Sequence, residues 1–204
     1  MPSRNVVKID IPDSYYHVYA RGRGRQKIFH DDEDYRVFLN LFKRHLSVEP
    51  VVDSYGMPYA HLRGELELLC YCLMPNHFHI LLYQKTEGTM SRLMRGVIMS
   101  YTRYYNKRYE TSGSLFETTY KASRISSDEY LLHISRYIHL NPKDWRGYAY
   151  SSLNYYIHAK EPSWLQTKKI LDLHSSRQAY ELFVEDYEEY EDGLDNIKHE
   201  LAGG

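Results

Sequence analysis

Seven segments with strand-like or helix-like patterns follow one another over the first 141 residues, and their order constrains the fold more than any other feature of the sequence. Short apolar and aromatic runs predict strands over 15–22, 65–74, 77–84 and within 113–125. Apolar residues at helical spacing predict helices over 32–48, 89–110 and 127–141. The order strand–helix–strand–strand–helix–strand–helix predicts an α+β fold of the ferredoxin-like split β-α-β type, with a central antiparallel sheet and helices on one face.

Polar residues and a proline mark the ends of the predicted helices. Asp31 or Asp32 can cap the first helix, a Thr or Ser the second, and Ser127 the third. Pro142 stops the third helix and biases Asn141 away from helical geometry, so we expect a distorted last turn.

The length of 204 residues fits one domain with an appendage. We predict a globular body over 1–156 and a C-terminal helical extension over 157–204. The stretch 145–175 has an irregular pattern, and its two tryptophans are expected to pack back on the body. An acidic helix is predicted over 177–192, after which the chain is expected to fray.

Charge is distributed unevenly along the chain. Residues 1–160 carry 22 Lys and Arg against 16 Asp and Glu, whereas residues 161–204 carry 4 against 11. A basic body favours a polyanionic partner, although a mixed, solvated surface has the same composition. The acidic end either shields a basic site or keeps the surface solvated. If it shields the site, deleting 177–204 should tighten binding of the polyanion.

Composition excludes several classes of protein. With 43% hydrophobic and 15% aromatic residues, the chain is too apolar to be intrinsically disordered. No run approaches the ~20 apolar residues of a membrane span. The N-terminus lacks the apolar core of a signal peptide, so we predict a cytoplasmic protein. Two cysteines, Cys70 and Cys72, exclude a disulfide framework.

The segment MPNHFHILL (74–82) carries the most chemically informative pattern. His77 and His79 are two apart in a predicted strand, so both imidazoles leave the same face and Phe78 points the other way. Two imidazoles on one rigid face can bind one cation, since imidazole suits zinc, manganese, iron and nickel. The alternatives are a hydrogen-bonded histidine pair without metal, and a structural zinc site that adds both cysteines. The cysteines also fit small core positions.

This segment resembles the HUH signature, histidine–hydrophobic–histidine, of small single-tyrosine transposases of the insertion-sequence superfamily. Four further segments are similar, in the same order, to the branch associated with repetitive extragenic palindromes. These are YHVYARGRGRQKIF (16–29), YTRYYNKRYETSGSLFETTYKA (101–122), RYIHLNP (136–142) and YSSLNYY (150–156). The resemblance identifies 1–156 as the catalytic domain.

The resemblance implies a metal-dependent transesterase that cleaves and rejoins single-stranded DNA near hairpins during transposition. A tyrosine hydroxyl attacks a phosphodiester, becomes linked to the 5′ phosphate, and leaves a 3′-OH that can later rejoin the strands. The implied cofactor is Mg²⁺ or Mn²⁺. The implied partner is single-stranded DNA with hairpin or palindromic structure, bound by a monomer or a homodimer.

By the same resemblance, RYIHLNP matches a Y-I-x-x-N/Q pattern that assigns the nucleophile to Tyr137. Asn141 would complete the metal shell beside His77 and His79. Tyr137 and Asn141 are four apart and share one helical face. In the competing interpretation, Tyr137 is a core aromatic and Asn141 caps the helix. The tyrosines of segment 101–109 are alternative nucleophiles.

Three basic clusters are predicted to contact DNA, because phosphates pair with cations while bases stack on interleaved aromatic rings. The clusters comprise Arg21, Arg23, Arg25 and Lys27; Arg92, Arg95, Arg103, Lys107 and Arg108; and Lys121 and Arg124. Each cluster alone also fits a solvated face. His133 and His139 are expected at the surface or facing phosphates.

One departure from the family pattern lies close to these clusters. The branch often has Gln-Gly-Arg after Leu-Phe, whereas Glu117, Thr118 and Thr119 stand here. The change removes one cation and adds one carboxylate.

Two functional alternatives stay open at this point. A replication or mobilisation relaxase shares the chemistry but usually has a larger domain and often a second tyrosine. A domesticated hairpin-binding protein would hold palindromic DNA with little or no cleavage. Its mark would be a lost histidine or tyrosine, whereas both histidines, Tyr137 and Asn141 are present.

Overall fold

A computed structural model describes residues 10–158 and 160–186 of the chain. The body consists of β1 (Ser14–Arg21), α1 (Asp32–Leu46), β2 (Leu66–Met74), β3 (His77–Gln84), α2 (Thr89–Arg108), β4 (Lys121–Ile125) and α3 (Asp128–His139). Three shorter helices follow, α4 (Leu153–Ile157), α5 (Lys168–Leu171) and α6 (Arg177–Glu185). The predicted element order is confirmed. The part of the acidic helix predicted beyond residue 186 lies outside the described residues.

The four strands form one antiparallel sheet in the order β2-β3-β1-β4. This is the strand order of a ferredoxin-like split β-α-β fold, so the predicted α+β architecture is confirmed. In the register, Tyr19 of β1 is opposite His79 of β3 on one side and Lys121 of β4 on the other. These three side chains therefore leave the same face of the sheet.

Helices cover both faces of the sheet, which corrects the predicted arrangement with helices on one face. Val18, Phe78 and Ile80 share a buried core with α1 and α2. The alternate residues Cys70, Cys72 and Leu81 lie in a second core with α3 and α6. The reason is that the sheet strands are apolar on both faces, so each face must be covered.

Cap residues account for where the helices begin. The Asp31 side chain accepts a hydrogen bond from the backbone N–H of Asp34 at the start of α1. Ser127 does the same for Tyr130 at the start of α3, as predicted. The predicted Thr or Ser cap of α2 is wrong. The N-cap there is Gly88, whose φ of 80° lies in the left-handed region that favours glycine.

The C-terminal segment packs on the second core. Two short helices, α4 and α5, lie in the stretch that was predicted to be irregular. Trp145 and Trp164 both pack on the body, as expected. Tyr180 and Val184 of α6 are fully buried in the same core as Ile134 of α3. Among the described helices, none is both long and apolar enough to cross a bilayer.

Candidate active site

The four residues predicted to carry the chemistry converge on one cavity. His77 and His79 lie at the start of β3, Tyr137 lies near the end of α3, and Asn141 follows that helix. Nε2 of His77 and Oδ1 of Asn141 are 3.1 Å apart, and the rings of His79 and Tyr137 meet edge to face at 5.3 Å. The cavity has a volume of about 510 Å³ and is further lined by Tyr19, Ala20, Arg21, Arg25, Met74, Phe78, Glu117, Thr118 and Lys121.

Local structure explains how these side chains come to face one another. Alternation along β3 sends His77 and His79 to the α3 face, while Phe78 is buried in the other core. The helix α3 ends at His139, two residues before Asn141, because Pro142 disfavours helical geometry at the residue before it. The Leu140 N–H still donates to the carbonyl of Arg136, so the chain continues the helical direction far enough for Asn141 to reach His77.

The hydrogen bonds of His77 leave one ring nitrogen as an acceptor. Its Nδ1 is 2.7 Å from Oδ1 of Asn76. The Asn76 amide is oriented by donation of its Nδ2–H to the carbonyl of Arg25. Because an amide oxygen only accepts, the proton of the neutral His77 ring lies on Nδ1. In this tautomer Nε2 is unprotonated, and it lies 3.1 Å from Oδ1 of Asn141.

The orientation of the Asn141 amide follows from its contact with Tyr137. A side-chain hydrogen bond from Asn141 lowers the pKa of Tyr137, which is the effect of a donor such as Nδ2–H on a phenol oxygen. Oδ1 is consequently the atom that faces His77. Two unprotonated acceptor atoms 3.1 Å apart repel each other unless one cation binds both of them. Two ligand atoms of one octahedral cation, each about 2.1 Å from it, would be about 3.0 Å apart. The pair therefore fits a divalent cation site.

Burial keeps the imidazoles neutral. It lowers the pKa of His77 to about 4. The hydrogen bond that only a ring protonated at Nε2 can donate to Asn141 opposes this shift, and the Arg21 charge adds to it. Burial, followed by the charges of His17, His77 and Arg21, lowers the pKa of His79 well below its ordinary value. A neutral imidazole is the form that binds a metal ion, so both rings are in the ligand form at neutral pH.

Tyr137 is half-buried, and burial raises the pKa of its hydroxyl to about 12. The Asn141 hydrogen bond and the charge of Arg21 act in the opposite direction. A buried phenol is a weak nucleophile at neutral pH. The two neighbours that favour the phenolate are therefore the groups that would make this hydroxyl more nucleophilic.

The structure also adds two residues that the sequence pattern did not single out, His17 and Asn76. Nδ1 of His79 is 3.0 Å from Nε2 of His17, a fully buried residue of β1. The two rings are stacked at 5.1 Å. His17 lies in segment 16–29, and Asn76, which bonds His77, lies in segment 74–82; the sequence pattern assigns neither of them a role. Only strand register and turn geometry bring them to the histidines.

The alternative prediction, a structural zinc site that includes both cysteines, is wrong. In the part of the chain that the structure describes, no group of three or more His, Cys, Asp or Glu side chains is arranged to hold a metal ion. Cys70 and Cys72 are buried core residues, and burial raises the pKa of the Cys72 thiol. The donor set that remains is two imidazoles and the Asn141 amide oxygen.

Some predicted DNA-contacting residues surround the cavity. Arg21, Arg25 and Lys121 line it directly. Arg103 lines a neighbouring groove of about 720 Å³ that shares Glu117 and Thr118 with the cavity. Four further predicted residues are exposed on the turn after β1 or on α2, namely Arg23, Lys27, Arg95 and Lys107.

Three other predicted contacts lie apart from the cavity. Arg92 pairs with Glu65 at 3.3 Å. Arg108 pairs with Asp31 and with the buried Asp34. These carboxylates neutralise the two arginines, which the sequence pattern could not reveal because the partners lie on distant segments. Arg124 is opposite Tyr16 in the sheet and so leaves the face opposite to the histidines.

Of the two further histidines of α3, His139 differs more from its prediction, which placed it at the surface or facing phosphates. It is fully buried, and its ring nitrogens bond Oη of Tyr180 at 2.7 Å and Oγ of Ser152 at 2.8 Å. It therefore joins α3 to α6 and to the segment before α4. His133 is half-buried and contacts Nη2 of Arg136 at 3.0 Å.

Comparisons with known proteins bear on this arrangement. The family model described as Transposase IS200 like matches residues 10–141. A solved structure of a REP-associated tyrosine transposase bound to a REP hairpin is similar over 78% of this chain and 88% of its own, with 14% identity and a TM-score of 0.53. A Deinococcus radiodurans R1 protein assigned as a transposase is similar over 68% of this chain and 95% of its own, with 15% identity and a TM-score of 0.39. None of the curated proteins matches this chain significantly.

At 14% identity, the similarity to the first of these solved structures supports the fold alone. The family match carries more information, since it begins just before β1, contains both histidines and Tyr137, and ends at Asn141. It covers well over half of the chain, and the chain therefore belongs to the family of IS200-like transposases.

Proposed function

We propose that this chain is a metal-dependent, HUH-type single-stranded DNA endonuclease and strand transferase. Tyr137 is the nucleophile, and His77, His79 and Asn141 hold Mg²⁺ or Mn²⁺. The observation that carries the proposal is the 3.1 Å approach of His77 Nε2 to Asn141 Oδ1, next to the Tyr137 hydroxyl. Membership of the IS200-like family supports transposition as the process.

The chemical step is a transesterification. The Tyr137 oxygen attacks a backbone phosphorus, a Tyr–O–P bond forms, and the P–O3′ bond breaks. The phenol proton is transferred in net terms to the departing 3′ oxygen. One phosphodiester replaces another, so the 3′-OH can reverse the step without an external energy source.

Each residue around the nucleophile has a role in this step. Nδ2–H of Asn141 and the charge of Arg21 stabilise the developing phenolate. Asn76 holds the imidazole of His77 in place. A divalent cation bound there would neutralise charge on the non-bridging oxygens and orient the phosphate.

The positive charges around the cavity support a nucleic-acid strand as the substrate. Three basic residues line the cavity, namely Arg21, Arg25 and Lys121. Among residues 10–158 and 160–186, none of them forms an ion pair with a carboxylate. In this proposal the bound DNA strand continues into the neighbouring groove beside α2, where Arg103 provides the next positive charge. Glu117 stands where the two spaces meet and repels phosphate. A base edge therefore fits that point better than the backbone does.

We further propose DNA with hairpin or palindromic structure as the partner. The similar solved structure is that of a transposase bound to a REP hairpin, which supports this class of ligand. We assign 1–156 to the catalytic domain and 157–204 to the extension. Because α6 buries Tyr180 against the same chain's α3, a monomer with Tyr137 acting in its own active site is the simplest assembly.

The test uses a labelled single-stranded hairpin from the DNA flanking the gene. The full chain is incubated with it and Mn²⁺ or Mg²⁺ and analysed on a denaturing gel. Wild type should form a covalent protein–DNA band that requires the metal, and Tyr137→Phe and His77→Ala should lose it. Tyr55→Phe is the matched control, because Tyr55 is 91% exposed and does not line the cavity.

The outcomes separate the alternatives. A band that persists in Tyr137→Phe would move the nucleophile to the tyrosines of α2. Tight hairpin binding without any band would favour a domesticated binding protein. Neither binding nor cleavage of any hairpin would refute the DNA assignment.

A further inference from the structure

We propose that His17 is a positioning residue that sets the ring orientation and the tautomer of His79 as a metal ligand. The proposal rests on the metal site of the proposed function. It assigns a role to a buried histidine that the cleavage step itself does not use.

The contact between the two rings is specific. His17 lies on β1 and His79 on the neighbouring β3, where Tyr19 is the direct partner of His79. His17 therefore reaches His79 diagonally across the sheet, and Nε2 of His17 is 3.0 Å from Nδ1 of His79. The rings are nearly parallel, with an interplanar angle of 23°. Both residues are buried, so the contact is shielded from water.

Proton placement links this contact to cation binding. Nδ1 of His79 is occupied by His17, so Nε2 is the nitrogen that can bind a cation. A neutral His79 that uses the Nε2 lone pair carries its proton on Nδ1 and donates it to Nε2 of His17. His17 must then carry its own proton on Nδ1. In the reverse arrangement, His17 donates to His79, the proton of His79 lies on Nε2, and the cation is excluded.

The environment of the other ring nitrogen of His17 indicates that a histidine is present at this position for a functional reason. Its Nδ1 is buried, and it has no hydrogen-bond partner within the described part of the chain. An unpartnered buried polar atom destabilises the fold, and an apolar ring at this position would avoid it. A second hydrogen-bond partner that fixes the tautomer of a ligating histidine is a recurrent feature of metal sites, and such partners change metal affinity strongly.

The first test compares two variants of the full chain. His17→Phe keeps the ring packing but removes the acceptor, whereas His17→Gln places an amide oxygen near the position of Nε2. The probe is Mn²⁺ alone, with the free ion measured by electron paramagnetic resonance. We expect His17→Phe to weaken Mn²⁺ binding by roughly ten- to a hundredfold, and His17→Gln to restore most of it. Thermal unfolding in a chelator should show that His17→Phe is no less stable than wild type.

The second test needs no variant and so does not depend on folding of a mutant. Proton–nitrogen correlation NMR of the wild-type imidazoles, recorded with saturating Mg²⁺, reports which nitrogen of each ring carries the proton. We expect protons on Nδ1 of both His79 and His17. A proton on Nε2 of His17 would overturn the proposal. So would wild-type Mn²⁺ affinity in His17→Phe. Failure of wild type itself to bind Mn²⁺ would instead refute the metal site of the proposed function.

Discussion

Nε2 of His77 and Oδ1 of Asn141 are 3.1 Å apart, although 64 residues separate them in the sequence. The contact joins the start of β3 to the end of α3, and the Tyr137 hydroxyl bonds the same amide. One amide group thus contacts the imidazole that is the proposed metal ligand and the tyrosine that is the proposed nucleophile. In the proposed reaction, cation binding and positioning of the tyrosine are coupled through Asn141.

Removing the Asn141 amide should impair both processes. We expect Asn141→Ala to weaken Mn²⁺ binding about tenfold or more and to slow covalent adduct formation even at saturating Mn²⁺. The physical reason is that the variant lacks a ligand oxygen and also the donor that favours the Tyr137 phenolate. Titration calorimetry with Mn²⁺ and single-turnover cleavage measure the two effects separately. A loss of metal affinity with full rate at saturation would show that the amide does not act on the tyrosine.

Within the described residues, arginines with an ion pair and arginines without one should differ in their contribution to DNA binding. Arg21→Ala should lower the affinity for a single-stranded hairpin about tenfold at low salt and reduce the salt slope by about 0.7, because one phosphate contact is lost. Arg92→Ala is the control, since Glu65 already neutralises that guanidinium. Fluorescence anisotropy over a range of salt concentrations measures both. Equal losses in the two variants would contradict the assignment of the DNA path to the cavity.

Acid should destabilise the fold through its buried histidines. Burial lowers the pKa of His17 and of His139 to about 3, whereas the unfolded chain binds protons at these groups below about pH 6.5. The unfolded state therefore binds more protons between these values, and the free energy of unfolding falls as the pH falls from about 6.5. Each group should contribute a loss of about 2 kcal/mol at pH 5. Urea unfolding at pH 7 and pH 5 measures the difference, and equal stability at both pH values would contradict it.

The structure changes how the acidic end should be tested. Deleting 177–204 would remove Tyr180 and Val184, which are fully buried, and would therefore destabilise the body. Deleting 187–204 instead removes six acidic residues and leaves α6 intact. If these residues shield the basic cavity, hairpin affinity should rise severalfold at low salt and converge with that of wild type at high salt. Unchanged affinity at low salt would leave the acidic end a solvated surface.

The sequence by itself determined the secondary-structure elements and the strand that carries both histidines. Alternation in HFHILL is enough to send two histidines to one face, and Ser127 and Pro142 are enough to bound the helix that carries Tyr137. These are local properties, because strand alternation, caps and proline geometry depend on residues close in the chain. The split β-α-β order followed from the succession of those elements.

Only the tertiary structure decided which side chains meet. The face covered by α3, the contact of His17 with His79 and the burial of His139 under Tyr180 all depend on strand register and helix packing. The same holds for charge, since Arg92 and Arg108 resemble Arg21 and Arg103 in the sequence but are neutralised by distant carboxylates. Local pattern specifies where a side chain points from its own element. Long-range packing specifies which groups from other elements the side chain contacts there. The chemistry of this site depends on both.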